Sequence, residues 1–432
     1  MRITYLHQYF NTPEMPGGIR SHEMARRLVA RGHDVNMITS WREEDRRTEY
    51  FVTKEAGIRV HWIPVPYSNK MGFGSRIRAF FTFAWKAARK AASLKADIVF
   101  ATSTPLTVAL PGAYAAWKRD VPMVFEIRDL WPEVPIALGV IQSPLLKKMA
   151  KWLERFAYDR STAVVALAPG MADGVFKTGV NKKRVAIIPN GCDIAFFKRT
   201  NSRNEANKRK PEKQIILYVG HIGRANGVEY VIQLAKAMLD FYPTLKPEFV
   251  IIGDGQMFPK VKSLGIEEGV LGKNVRMLGA MPKIEIPKWL KMASATIMTY
   301  DGPEILFRDS VSNKFFDSLA AGKPIFANFE GFSTLIAKSC GAGVILPKND
   351  FEMAAHTVSK FLEDPKAVHQ AAVASFHLGH RFFNREKLAL DLEKVFIRVL
   401  EGGTSLDRIC EIGSEYRDLW MEARHGSSNL KQ

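Results

Sequence analysis

The segment DSVSNKFFDSLAAGKP, residues 309–324, concentrates groups that could hold a polar ligand. It carries Asp309 and Asp317, with seven residues between them. An ionised carboxylate only accepts hydrogen bonds, so hydroxyls are its natural partners. Ser312 or Asn313 can cap a helix, and Gly322 and Pro324 can end it. Phe315, Phe316 and Leu319 supply a core face, while Asn313 and Asp317, four apart, share the other. The N–H groups of such a helix start, with Asn313 and Lys314 beside them, form an anion site. A phosphate held between two hydroxyl-bearing rings is a nucleotide-sugar, the ligand that suits this set. The plainer alternative is a capped helix with solvated acids.

Other segments repeat the theme of a strand end, glycines and a helix. In YVGHIGRANG, residues 218–227, His221, Gly223, Arg224 and Gly227 precede an amphipathic helix, and the Arg224 guanidinium suits a diphosphate. The spacing is not G-x-G-x-x-G, so nicotinamide or flavin binding is not indicated. In VIIGDGQM, residues 250–257, Gly253 could lie against a base or sugar, or could simply make a tight turn. Gly17 and Gly18 precede a helix expected over 20–31 and would let backbone approach a phosphate, unless they form a plain loop. FEIRDLWPE, residues 125–133, places Arg128, Asp129 and Glu133 at a strand end, where working residues are expected. The competing reading is an Arg128–Asp129 ion pair serving the fold. PNGCD, residues 189–193, is turn chemistry and reads best as a turn out of the first domain.

Elements to carry these groups are legible throughout. Apolar, β-branched runs near 2–6, 35–39, 58–63, 97–101, 121–126, 162–167 and 184–188 predict strands in the first half. Those near 215–219, 248–252, 274–278, 295–299, 324–328 and 342–346 do so in the second. Runs without strict alternation, separated by helical patterns, suit parallel strands buried on both faces. The fold class expected is α/β, with two Rossmann-like domains whose ligands bind at the carboxyl ends of the strands, facing across a cleft. The boundaries expected are 1–197 for the first domain, 198–213 for a solvated linker (KRTNSRNEANKRKPEK) and 214–385 for the second domain. Residues 386–432 are expected to be helices packing back toward the first domain, with HGSSNLKQ frayed.

Bulk properties narrow the class. At 432 residues, two cores are expected. Three scattered cysteines suggest neither a disulfide framework nor a zinc site. No apolar run has the length of a membrane span, and the opening MRITYLHQYFNTPE has no signal-peptide pattern, so a cytoplasmic location is expected. The net charge of +18 is uneven: residues 1–200 hold 31 Lys+Arg against 17 Asp+Glu. A basic first half must meet something anionic or serve solubility. Nucleic acid is not the expected partner, since neither a recognition helix nor a stacking motif is evident.

The pattern SNKFFDSLAAGKP, with GGIRSHEMARRLVARGHDV, RDLWPE, IIPNGCD and GHIGRANG in order, resembles glycosyltransferase family 4 over roughly residues 1–400. Within it, the chain looks like the WbuB-like transferases of bacterial O-antigen and capsule synthesis. The resemblance implies the GT-B fold and a UDP-sugar bound in the second domain. Asp317 would hold the ribose, Asp309 the donor sugar, and Ser312, Asn313 and Lys314 the diphosphate. His221, Arg224 and Gly253 would line the donor site, with Gly17 and Gly18 closing over the diphosphate. Asp309, Arg224 and Asp129 are the candidate catalytic residues. The family retains anomeric configuration and uses no metal in the site, so no cofactor is expected and the UDP-sugar is a substrate. An N-acetylated aminosugar such as N-acetyl-L-fucosamine is the donor sugar implied. The chain departs from the family where aspartates replace both signature glutamates, where His221 and Asn226 replace an Arg and a Lys, and where Arg128-Asp129 replaces a His-Asp pair.

The first domain of this fold receives the acceptor. Residues 75–95, SRIRAFFTFAWKAARKAASLK, read as a basic amphipathic helix able to lie on an anionic membrane. Arg76, Arg78, Phe80, Phe81, Trp85, Lys86, Arg89 and Lys90 are its candidate contacts. They would place the chain at the inner face of the plasma membrane, near an undecaprenyl-diphosphate-linked acceptor. Rival readings are an enzyme of the same fold resembling UDP-N-acetylglucosamine 2-epimerase, which needs no acceptor, and a catalytically dead scaffold in a membrane-associated assembly.

Overall fold

The computed structural model describes residues 1–15, 17–42, 47–68, 71–198, 214–245 and 247–425. All but the first residue of the expected linker 198–213, and HGSSNLKQ beyond His425, lie outside the described residues. Two units form: Met1–Thr12, Ile19–Pro189 and Glu386–Arg417 make the first, and Pro13–Gly18, Asn190–Arg385 and Asp418–Gln432 the second.

The first unit is built on an eight-stranded sheet of β1 (Arg2–Leu6), β2 (Asp34–Trp41), β3 (Phe51–Glu55), β4 (Ile58–Pro64), β5 (Ile98–Thr102), β6 (Met123–Ile127), β7 (Ala163–Ala166) and β8 (Val185–Ile187). Their order is β3-β4-β2-β1-β5-β6-β7-β8. Every pair is parallel except β3 with β4. β5, β6 and β7 are buried along their whole length, which is why they carry unbroken apolar runs. The helices are α1 (Arg20–Ala30), α2 (Phe73–Ser93), α3 (Ala109–Arg119), α4 (Glu133–Ala137), α5 (Pro144–Asp159) and α6 (Pro169–Lys177).

β3 has no counterpart among the expected strands. It is an edge strand with no fully buried residue, paired antiparallel to β4, so it lacks the apolar run that marks the others. Ala56 and Gly57, both at positive φ (48° and 85°), close the hairpin, the backbone that two-residue turns favour.

The second unit holds β9 (Ile215–Val219), β10 (Glu248–Ile252), β11 (Val275–Leu278), β12 (Ala295–Met298), β13 (Ile325–Ala327) and β14 (Gly343–Ile345), all parallel in the order β11-β10-β9-β12-β13-β14. Around it lie α7 (Ile194–Lys198), α8 (Glu229–Phe241), α9 (Phe258–Glu267), α10 (Ile286–Met292), α11 (Asn313–Ala320), α12 (Phe332–Ser339), α13 (Phe351–Glu363) and α14 (Pro365–Arg381). A core of Val231, Leu234, Met238, Ile251, Val358 and their neighbours packs α8 and α13 on the sheet. From Glu386, α15 (Arg385–Glu401) belongs to the first unit, where Phe396 meets Phe100 at 5.2 Å between ring centroids. α16 (Glu415–His425) is the last helix described.

Both sheets are doubly wound. The chain moves to opposite sides after β1 and again after β9, so crevices are expected at the carboxyl ends of the β1/β5 and β9/β12 neighbours.

Candidate active site

The β9/β12 crevice of the second unit gathers most of the expected donor residues. α11 follows β12 and starts at this edge. Ser312 takes the N-cap position, but its side chain makes no capping bond. Asn313 does not cap either, because its Oδ1 accepts from Asn190 Nδ2 at 2.6 Å. The expected side-chain cap is therefore missing, and the helix start is open to an anion.

Lys314 is the cation at that start. Its Nζ donates to the Tyr218 hydroxyl at 2.8 Å and lies 4.3 Å from the centre of the Tyr218 ring. The chain passes close beneath it at Gly220, where a Cβ would come within 2.8 Å of Lys314 Cε. No carboxylate pairs with Lys314 among the described residues, and burial pushes its ammonium down to about 7. Lys314 is thus a buried amine whose near neighbours are the Tyr218 hydroxyl and ring and the Gly220 backbone.

The two acids are differently held. Asp309 is buried in the loop before α11, and its Oδ2 accepts from Arg308 Nε and Nη2 at 3.0 and 2.9 Å. Asp317 projects from α11 and pairs with Lys283, which comes from the turn before α10. His221 and Arg224 are exposed in the loop after β9, and Arg224 makes no ion pair among the described residues. Gly253 is close by, but a Cβ there would lie 1.8 Å from the Gly220 carbonyl oxygen. Packing of these two loops by itself requires glycine at 253. Gly18 comes against Asn313, where a Cβ would meet Nδ2 at 2.5 Å, and Gly17 has φ 115°.

Asn190, Tyr218, Lys283 and Arg385 join the site without having been singled out by sequence. PNGCD does more than turn the chain. Its Asn190 orients Asn313, and Arg385 holds the loop by donating to the Gly191 carbonyl and pairing with Asp193 at 3.4 Å. The asparagine next to a glycine after β8 was the available signal.

In the first unit, Asp129 is exposed just past β6 and accepts from Thr104 Oγ1 at 2.9 Å. It forms no ion pair with Arg128, so the structural pairing weighed above is not found. Arg128 Nη1 donates instead to His7 Nε2 at 3.0 Å. Below them, Glu126 is fully buried. Burial alone would raise its pKa, but Arg20 at 2.7 Å and Thr102 at 2.7 Å hold it below the usual carboxylate range.

α2 corrects one expectation and narrows another. Phe80 is buried and stacks on Tyr67, so it cannot be a surface contact. It lies on the inward stripe with Phe83, Ala84, Ala87 and Ala91, at the spacing of one helix face. Arg76 donates to the Tyr67 hydroxyl, Lys86 to the Pro64 carbonyl, and Lys90 covers the Tyr50 ring. Arg78, Phe81, Trp85 and Arg89 form the outward face, with Phe81 and Trp85 at 49% and 57% exposure. Among the described residues, no helix is long and apolar enough to cross a membrane.

Comparison with known proteins agrees with this architecture. Residues 17–191 match the glycosyl transferase 4-like domain and residues 199–375 the glycosyl transferases group 1 domain, together most of the chain. A protein of Escherichia coli K12 named as a colanic acid biosynthesis glycosyl transferase, WcaI, is 24% identical over 312 residues, 66% of this chain and 74% of WcaI. The alpha-D-kanosaminyltransferase of Streptomyces kanamyceticus is 26% identical over 226 residues, 50% of this chain and 55% of its own. Among solved structures, sucrose-phosphate synthase of Thermosynechococcus elongatus superimposes with a TM-score of 0.73 at 14% identity, covering 93% of this chain and all of that one. HepE of Anabaena, solved with UDP, gives 0.64 at 14% identity over 92% of this chain and all of its own.

Proposed function

The chain belongs to the family 4 glycosyltransferases, and from that premise we propose that it moves a sugar from a UDP-sugar to a saccharide carried on a polyprenyl diphosphate. The process served is synthesis of a bacterial surface polysaccharide, and the donor sugar is an N-acetylated aminosugar such as N-acetyl-L-fucosamine. Lys314 carries the reading: a cation with no acid partner among the described residues stands at an uncapped helix start, beside glycine backbone.

In this reading the diphosphate lies on the first turn of α11, against Lys314 and within reach of Arg224. Asp317, shared with Lys283, holds ribose hydroxyls, and Asp309, set by Arg308, holds hydroxyls of the donor sugar. The bond from the sugar's anomeric carbon to the β-phosphate oxygen breaks, and its electron pair leaves with UDP. The acceptor oxygen bonds to the same carbon from the same face, and its proton passes to the departing phosphate oxygen. Configuration is retained without a metal. The helix start and Lys314 stabilise the charge that develops on the leaving group, the largest usual contribution to such catalysis.

The acceptor's lipid requires a chain working at the inner membrane surface. Besides Phe81 and Trp85 on α2, α3 exposes Trp117 (73%) and α5 exposes Leu145, Met149 and Trp152 (61%). α3 packs against both α2 and α5. Lys118, Arg119, Lys148, Lys151 and Arg155 are exposed on the same helices. Exposed aromatics among cations suit an anionic bilayer surface.

The test is a transfer assay with UDP-sugars and a lipid-linked saccharide, followed by NMR of the new linkage. UDP release tied to acceptor glycosylation, with the donor's configuration kept, supports the proposal. A product epimerised without any acceptor would replace it with the epimerase reading.

A further inference from the structure

Charged and polar residues of the first unit gather at the carboxyl end of β1 and β5. His7 follows β1, Ser103 and Thr104 follow β5, and Arg128 and Asp129 follow β6. The strands are parallel and in register, Leu6 beside Ala101 and Thr102 beside Glu126, so these residues share one edge. This is the switch point of the sheet, the place where doubly wound folds bind ligands.

Arg128 is unusual there. Its backbone N–H donates to Ser103 Oγ at 3.0 Å, and its Nη1 donates to His7 Nε2. It has no other hydrogen bond and no ion pair among the described residues. Glu126 and Asp129 act on Arg128 through their charge, but their hydrogen bonds go elsewhere, Glu126's to Arg20 and Thr102 and Asp129's to Thr104. His7 is buried, and burial with the nearby Arg128 and Arg42 cations holds its pKa well below the usual imidazole range. It is therefore a neutral acceptor that orients the guanidinium without neutralising it. His7 Nδ1 and both amide atoms of fully buried Gln8 lack partners at this end of β1. Buried polar atoms left in this state call for a ligand or water.

We propose that Arg128, set by His7, binds an anionic group of the acceptor, with Asp129 beside it to take a sugar hydroxyl. The unused edge of the guanidinium offers a fork of donors that fits a carboxylate or a phosphate. That group is either a uronate carboxylate on the acceptor saccharide or the phosphate joining the saccharide to its carrier. The inference rests on the transferase reading for the word acceptor. The anion site itself depends only on the first unit.

The test uses the full chain with its donor site saturated by UDP, titrated separately with pyrophosphate, glucuronate and neutral methyl glucoside. Binding of either anion, with no detectable binding of the neutral sugar, is expected. Arg128→Gln should weaken the anion roughly 10- to 100-fold, as for loss of a charged hydrogen-bond pair. Arg128→Lys should recover part of that loss, and His7→Ala should weaken binding less than Arg128→Gln. A thermal unfolding profile matching that of the unaltered chain reports that each variant's first unit, which carries His7 and Arg128, is folded. Preference for pyrophosphate identifies the carrier phosphate, and preference for glucuronate an acidic sugar. The proposal is overturned if neither anion binds better than methyl glucoside, or if Arg128→Gln binds them as the unaltered chain does. Should UDP not bind, the donor reading fails separately, and the same titrations without UDP still decide the fate of this site.

Discussion

A lysine amine of pKa about 7, resting on a tyrosine hydroxyl beside a glycine, is suited to change its charge when an anion arrives. The sign of the coupling follows from the direction of the shift. At pH 8 unliganded Lys314 is mostly neutral, and a bound diphosphate favours the ammonium, so binding takes up close to one proton. Below pH 7 the amine is already charged and the uptake fades. UDP affinity should therefore fall as pH rises from 7 to 9. Calorimetry at pH 8 in two buffers of different ionisation heat should show proton uptake, absent in Lys314→Met. Equal heats in both buffers for the unaltered chain would remove this role.

At the scale of elements, two neighbouring phenylalanines separate packing from surface function. Phe80→Ala should cost about 3–5 kcal/mol of stability in a denaturant titration, since it empties a buried site. Phe81→Ala should stay within about 0.5 kcal/mol, yet weaken flotation with anionic vesicles. Equal stability losses would show that the faces of α2 are wrongly assigned. The periodicity of residues 75–95 announced an amphipathic helix, but every second or third aromatic invites either face, and only packing against Tyr67 places Phe80 inside. Parallel strands were legible because burial on both faces writes an apolar run. β3, at an edge and half wet, writes none. The α11 start itself was legible from SNK, and Ser312 stands at its N-cap position. The partners of Asp317 and Asn313 were not, because Lys283 and Asn190 lie far away in sequence and carry no motif of their own. Gly253 shows a further limit: a glycine at a strand end reads the same whether a ligand or, as here, the Gly220 carbonyl requires it.

Across the whole molecule, charge is unevenly spent. The excess of Lys and Arg over residues 1–200 belongs to the half that exposes Trp85, Trp117 and Trp152. Vesicles containing anionic lipid should bind the chain and neutral ones should not. Binding should fall steeply between 0.05 and 0.5 M salt, roughly the range over which screening shortens from above 10 Å to a few ångströms. Trp152→Ser should weaken it further at every salt concentration. Binding indifferent to lipid charge would separate the basic half from the membrane.

The proposed donor site in the second unit holds a uridine diphosphate at the start of α11, with Lys314 on the diphosphate and Asp317 on the ribose. Titration of UDP, ADP and GDP into the chain by calorimetry, with Asp317→Ala alongside, tests it most directly. UDP should bind in preference to ADP and GDP, and its affinity should drop roughly 10- to 100-fold in Asp317→Ala, the usual cost of losing hydrogen bonds to a charged group. Absence of nucleotide binding, or UDP binding unchanged by the substitution, would contradict it.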